Sequence, residues 1–214
     1  MFGLTISLDV TGRRCVVVGG GREADNRVDA LLHAGAEVVV VTPAPSPAIA
    51  AAAAAGRLEL ARRGWRAGDL VGAFVAYDTR EDETPAGAVW AESREQHVLL
   101  STLDDVPRCD FATPAVVRRG DLAVTIATAG RAPALAKRLR QHLEAELGDE
   151  YGVLVDVLAQ ARDEVLPREV AFEVWAARWS QALADLDSLA QLVADGRADA
   201  AREQIVATVG KGGR

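Results

Sequence analysis

At 214 residues, half of them apolar, the chain has length for one or two domains and material for a real core. A net charge of −7 argues against general nucleic-acid binding, and no run of 18 apolar residues offers a membrane span. Cys15 and Cys109 are unclustered, and His33, His97 and His142 have no second ligand at coordination spacing, so no metal centre is expected. Residues 1–10 lack the basic start of a signal peptide, and a cytoplasmic protein is the simplest expectation.

Short apolar runs alternate with helical patterns through the first half. Strands are predicted at residues 4–8, 15–18, 37–42, 58–61, 73–77 and 98–101, and helices at 23–34, 48–55 and 84–96. This βαβ rhythm predicts an α/β fold with a Rossmann-like parallel sheet. The nearly all-alanine stretch 48–55 favours helix by propensity. After Pro114 a strand is predicted at 122–128, broken by Ala129-Gly130-Arg131. Pro133 suits the first turn of a helix running to about Leu147, where Gly148 would stop it. From Tyr151 onward, Leu154, Val157 and Leu158, then Leu183, Leu186, Leu189, Leu192 and Val193, recur at helical spacing and predict a C-terminal helical region. The glycine-rich residues 210–214 should fray.

The turn after the second predicted strand reads G-x-G-x-x-A, from Gly19 through Gly21 to Ala24, and opens a helix with Ala24, Val28, Leu31 and Leu32 on one face. That strand–turn–helix context is what a dinucleotide fingerprint requires. Gly19 permits the tight turn, Gly21 admits a pyrophosphate to the backbone, and Ala24 lets helix and strand pack closely. The helix N-terminus supplies free N–H groups and a positive dipole end. Arg22, Glu23, Thr42, Pro43 and Thr79 complete the candidate cofactor contacts. The next strand ends Val41-Thr42-Pro43-Ala44, without the usual ribose-binding acid and without an arginine for a 2′-phosphate, and NAD is expected over NADP.

Two adjacent carboxylates, Asp104 and Asp105, fall where the sheet should end. Ligands of open α/β sheets bind outside the carboxyl ends of the strands, so a carboxylate there can meet both cofactor and substrate. Between Val117 and Leu143 stand six basic residues, Arg118, Arg119, Arg131, Lys137, Arg138 and Arg140, against one acid, Asp121. Such a cluster suits a polycarboxylate or phosphate ligand, which arginine grips bidentately.

Four segments in order carry a family resemblance. They are Val17-Val18-Gly19-Gly20-Gly21, then Leu103-Asp104-Asp105, then Cys109-Asp110-Phe111-Ala112-Thr113-Pro114-Ala115, then the run from Arg119-Gly120-Asp121 to Pro133-Ala134-Leu135-Ala136. With them the chain resembles the precorrin-2 dehydrogenases, a module that also forms the N-terminal part of bacterial sirohaem synthase. The resemblance implies an NAD-binding Rossmann domain at 1–113, a dimerisation segment at 114–146 exchanged between two subunits, and a helical domain at 147–214. It implies a homodimer that oxidises precorrin-2, with Asp104 as the functional aspartate ending the fifth strand. It places Thr128 beside the substrate, with Arg118, Arg119, Arg131 and Arg138 as candidates for the substrate's carboxylates. Iron insertion into the product, as in a fungal relative, and a non-catalytic NAD- or tetrapyrrole-binding protein are the alternatives. The chain departs from the family at Glu23, where an aliphatic residue is usual and Arg22 or Arg27 must neutralise the charge. It departs again at Asp78-Thr79-Arg80, where Ala-Thr-Asp is usual, and at Ser101, where asparagine is frequent.

Overall fold

In the computed structural model the described residues are 4–80, 86–165 and 171–210. The chain divides between Thr113 and Pro114 into two compact units.

The first unit holds β1 (Arg14–Val18), α1 (Arg22–His33), β2 (Glu37–Val41), α2 (Pro47–Ala54), β3 (Glu59–Ala61), β4 (Val75–Asp78), α3 (Ala86–Glu95) and β5 (Leu99–Thr102). A 3-10 turn, Val106–Arg108, follows. The five strands form one parallel sheet in the order β3-β2-β1-β4-β5. The order reverses between β1 and β4, which makes their carboxyl ends the switch point where such sheets bind ligands. β1 is buried on both faces: Cys15 and Val17 pack with Val28, Leu31 and Ile49 on one side, Val16 and Val18 with Leu70, Val89 and Leu100 on the other. This two-sided burial explains why the strands read as continuous apolar runs rather than alternating ones. Ser46 caps α2 by accepting from the Ile49 N–H at 3.1 Å, and Pro47 opens the helix.

The expected strands and helices of this unit form, with ends shifted by one or two residues, except at 4–8. The start of the third predicted helix, residues 84–85, lies outside the described residues, as does 211–214, where fraying was expected. Residues 4–8 are not a strand: Leu4 and Ile6 stand 84% and 64% exposed. Their alternation specifies a face, but a strand also needs a partner ladder, and β3 and β5 form the two edges of the sheet without them.

The second unit opens with an antiparallel hairpin, β6 (Ala115–Arg119) and β7 (Leu122–Ile126), followed by α4 (Pro133–Glu146), α5 (Glu150–Glu164), α6 (Phe172–Ala182), α7 (Leu186–Ala194) and α8 (Ala198–Val209). Sequence reading predicts β7 and misses β6, whose two arginines resemble a turn. The core joins α5, α7 and α8 through Leu154, Val157, Leu189, Val193 and Ile205. Gly152 lets α5 touch the hairpin turn, since a Cβ there would lie 2.8 Å from the Arg119 carbonyl carbon and oxygen.

The loop between β3 and β4 shows how the first unit is fastened. Asp69 accepts from Arg63 Nη1 and Nη2 at 2.8 and 2.6 Å and from the Arg66 N–H at 2.8 Å. Buried Glu92 of α3 accepts from the Gly68 and Leu70 N–H groups at 2.9 and 3.0 Å. The Arg63 hydrogen bonds, with smaller help from the Arg66 N–H and the Arg63 and Arg14 charges, outweigh desolvation and hold the Asp69 carboxyl below the ordinary carboxylate range. A group with a lowered folded pKa stabilises fully above its unfolded value and loses that contribution as pH falls through the folded value. Asp69→Asn should therefore cost about 1–3 kcal/mol at pH 7, the worth of hydrogen bonds to a charged group. Urea unfolding of wild type and variant should converge as pH is lowered below about 4, the ordinary carboxylate value; a constant gap down to acid pH would contradict this.

Candidate functional site

The carboxyl edge of the parallel sheet is built around three glycines. Gly19 leaves β1 at φ +128°, and its N–H donates to Val41 O at 3.0 Å. A Cβ at Gly19 would meet Thr79 Oγ1 at 2.3 Å. Thr79 in turn donates its N–H and its hydroxyl to Val18 O, at 2.9 and 3.1 Å. The hydroxyl expected to meet a cofactor thus closes β4 onto β1.

Gly20 occupies an open position in the fingerprint, and sequence reading assigned it no role. A Cβ there would lie 2.3 Å from Ala44 O and 2.6 Å from Thr42 Oγ1. Thr42 is buried and accepts from the Ala44 N–H at 3.2 Å, while Pro43 is exposed. These two expected contacts form the wall behind the turn.

Gly21 differs from both. A Cβ there would meet no atom of the described residues within 4 Å. Gly21 is the N-cap of α1, in extended conformation, without a side-chain cap, and the Asp25 N–H donates to Gly21 O at 3.1 Å. The first-turn N–H groups therefore face open space, the arrangement that binds an anion such as a pyrophosphate. The residues present fit a dinucleotide.

The departures from the family pattern are locally compensated. Arg27 Nη2 reaches Glu23 Oε2 at 3.3 Å, one helical turn away, so the carboxylate on the first turn of α1 carries its own cation. Arg22 is exposed beside it. Asp78 is buried at the end of β4 and accepts from Arg80 Nε and Nη2 at 2.8 and 2.7 Å. Asp25 accepts from the Ser46 hydroxyl at 2.5 Å and joins α1 to the cap of α2.

Asp104 follows β5 in a left-handed backbone, φ +54°, and is exposed. A non-glycine residue held there stores strain, and such strain clusters at functional sites. Its two carboxylate neighbours are occupied. Asp105 pairs with Arg108 Nη1 at 2.5 Å. Asp110 pairs with Arg94 and accepts from the Leu100 N–H at 2.9 Å. Among the described residues, Asp104 is the one carboxylate of the three without a donor against it. Cys15 is fully buried, and burial pushes its thiol pKa up, consistent with an inert core residue.

In the second unit Arg118, Arg131 and Arg138 are exposed. Arg119 is used differently: Nε donates to Leu147 O and Nη2 to Glu144 O, both at 2.8 Å. Its guanidinium satisfies the leftover carbonyls at the C-terminus of α4. Arg140 pairs with Glu144 within that helix. Thr128 Oγ1 accepts from the Ala132 N–H at 3.3 Å, across the left-handed Ala129-Gly130 turn that leads into α4. A cavity of about 480 Å³ lies between α5 and α6, lined by Leu158, Arg162, Phe172, Trp175, Trp179 and Leu183 among others. Among the described residues that line it there is no carboxylate, histidine or cysteine. Among the described residues no three His, Cys, Asp or Glu side chains gather as for a metal ion, and no helix is long and apolar enough to cross a membrane.

Comparison with known proteins agrees with this geometry. Residues 6–115 match the family described as "Putative NAD(P)-binding", and residues 119–146 match the sirohaem biosynthesis protein central family. Siroheme synthase 1 of Serratia proteamaculans is 32% identical over 202 residues, 94% of this chain and 42% of that protein. Siroheme synthase 1 of Pectobacterium atrosepticum is 33% identical over 165 residues, 77% of this chain and 34% of that protein. The chain thus spans less than half the length of these relatives. The solved structure of SirC, a precorrin-2 dehydrogenase, shares the fold with a TM-score of 0.68 at 24% identity, covering 98% of this chain and all of that one. With its nucleotide-binding half followed directly by the sirohaem-biosynthesis segment, the chain belongs to the NAD(P)-binding family of modules that the sirohaem synthases contain.

Proposed function

We propose that the chain is an NAD-dependent precorrin-2 dehydrogenase, which oxidises precorrin-2 to sirohydrochlorin on the path to sirohaem. The observation that carries this reading is one sheet edge where, among the described residues, the helix start at Gly21 is open and the Asp104 carboxylate has no donor against it, on a left-handed backbone. The relatives named siroheme synthase and the shared fold of a precorrin-2 dehydrogenase support the substrate.

Oxidation removes a hydride and a proton from the macrocycle. The bound nicotinamide supplies the hydride acceptor. Asp104 takes the proton, and in its ionised form it steadies positive charge developing on the pyrrole nitrogens. The N–H groups at the start of α1 hold the pyrophosphate. Thr42 and Pro43 offer no cation for a 2′-phosphate, which favours NAD over NADP. Arg118, Arg131 and Arg138 receive the substrate's carboxylates near Thr128, while Arg119 belongs to the scaffold of α4. The same unpaired Asp104 suits a second reaction, withdrawal of pyrrole protons when Fe²⁺ enters the product as a substrate. Residues 1–113 act as the cofactor domain, 114–146 as the exchanged dimerisation segment and 147–214 as the helical domain, in a cytoplasmic homodimer. Leu135 and Leu139, 53% and 39% exposed on α4, supply the apolar surface that a second copy covers.

Light scattering at micromolar protein should give twice the 22.6 kDa chain mass, and a monomer at all concentrations would contradict the dimer. Gly21→Asp places a charge in the cradle without a steric conflict within the protein. Its melting temperature should stay near wild type while NAD⁺ affinity falls at least about tenfold, the scale of losing one favourable charge-assisted contact. Calorimetry showing unchanged affinity would remove the turn from the site. Anaerobic assays with precorrin-2 and NAD⁺ should show Asp104→Ala lowering kcat by ~10²–10⁴-fold, with a smaller change in KM. Arg138→Ala should instead mainly raise KM. Wild-type turnover by Asp104→Ala would end the catalytic reading.

A further inference from the structure

Residues 103–108 leave the sheet at the end of β5 and return through the 3-10 turn, and Asp104 rides on this loop. The loop is tied at both ends. Leu103 N–H donates to Asp78 O at 2.8 Å, and Asp110 N–H donates to Leu100 O at 2.8 Å. On its outer side Arg108 grips Asp105 at 2.5 Å. Across its mouth stand Thr102, the last residue of β5, and Cys109, whose thiol donates to Thr102 O at 3.2 Å and to Asp105 O at 3.3 Å. The Thr102 hydroxyl donates to Arg108 O at 3.0 Å, and its N–H donates to Cys109 Sγ at 3.1 Å. Arg108 O is one of the terminal carbonyls that a short helical turn leaves over. The left-handed backbone of Asp104 persists only where the surroundings over-determine it.

We propose that Thr102 is a positioning residue for the reaction: its hydroxyl locks the 103–108 loop in the conformation that presents the Asp104 carboxylate for proton transfer. The inference rests on the catalytic reading of Asp104. Thr102 is half-buried, and the hydrogen bond of its hydroxyl, to Arg108 O, stays within this loop. Losing the hydroxyl therefore loosens one carboxylate and leaves the cofactor cradle as it is. A displacement of about 1 Å at a reacting group can cost on the order of 10²-fold in rate, so a partial loosening should cost about tenfold.

The test uses the full chain with precorrin-2 and NAD⁺ under anaerobic conditions, followed by absorbance, with a melting curve for each variant. Thr102→Val, which matches threonine in shape, should lower kcat about tenfold while KM and NAD⁺ affinity stay within about twofold. Thr102→Ser, which restores the donor, should return kcat to near wild type. Thr102→Ala, which adds no methyl group, is read in the same way if valine impairs folding. In an Asp104→Ala background Thr102→Val should produce no further loss. A wild-type kcat for Thr102→Val beside an impaired Asp104→Ala would overturn the positioning role. So would a failure of serine to rescue, or an undiminished tenfold loss in the Asp104→Ala background. Wild-type turnover by Asp104→Ala alone would instead overturn the reading of Asp104 on which the proposal stands.

Discussion

Everything at the sheet edge depends on two missing side chains. Gly19 and Gly20 allow the turn after β1 to lie directly against Thr79 on one side and against Thr42 and Ala44 on the other. Any Cβ at either position would come within 2.3 Å of an oxygen, a separation real side chains do not adopt. The ends of β1, β2 and β4 therefore meet in one tight knot of backbone, with Thr79 bonded twice to Val18 O and Gly19 bonded to Val41 O. The third glycine then stands at the surface of that knot, with no described residue in front of it. A tight rear wall and an open front are both required: the first fixes where α1 begins, the second leaves its N-terminus to a ligand.

Charge is arranged with the same economy. Acids that would repel a phosphate are matched locally: Glu23 by Arg27, Asp78 by Arg80, Asp105 by Arg108, Asp110 by Arg94. Asp25 has the Ser46 hydroxyl instead of a cation, and Asp104 has no donor among the described residues and sits in a left-handed backbone. A carboxylate left unmatched where its neighbours are matched is better suited to accepting a proton than to holding the fold. Residues that sequence reading groups by type thus separate by use. Arg118, Arg131 and Arg138 are exposed, whereas Arg119 caps a helix end 25 and 28 residues further along the chain.

Much of the first unit was legible because its signals are local. Continuous valine runs marked the doubly covered strands, and a glycine-rich turn between a strand and an amphipathic helix marked the cradle. What stayed hidden depends on distant partners. The alternation of residues 4–8 names a face but no neighbouring strand. β6 is a strand because β7 pairs with it, not because Ala115–Arg119 has a strong pattern of its own. The need for glycine at position 20 comes from Ala44, on another element. The charges at positions 23 and 78 read as liabilities until Arg27 and Arg80 are seen against them.

The matched pair on the first turn of α1 bears on ionic strength. With Glu23 and Arg27 paired, attraction at the proposed cradle comes from backbone N–H groups at contact range together with the exposed Arg22. Arg118, Arg131 and Arg138 are solvent-exposed, and charges of that kind are screened over about 8 Å at physiological salt. Raising the salt concentration should therefore weaken a grip that rests on such exposed arginines more than one that rests on backbone N–H groups at contact range. A single chain would then hold its two anionic ligands by physically different means, one fixed by the backbone and one adjustable by the medium.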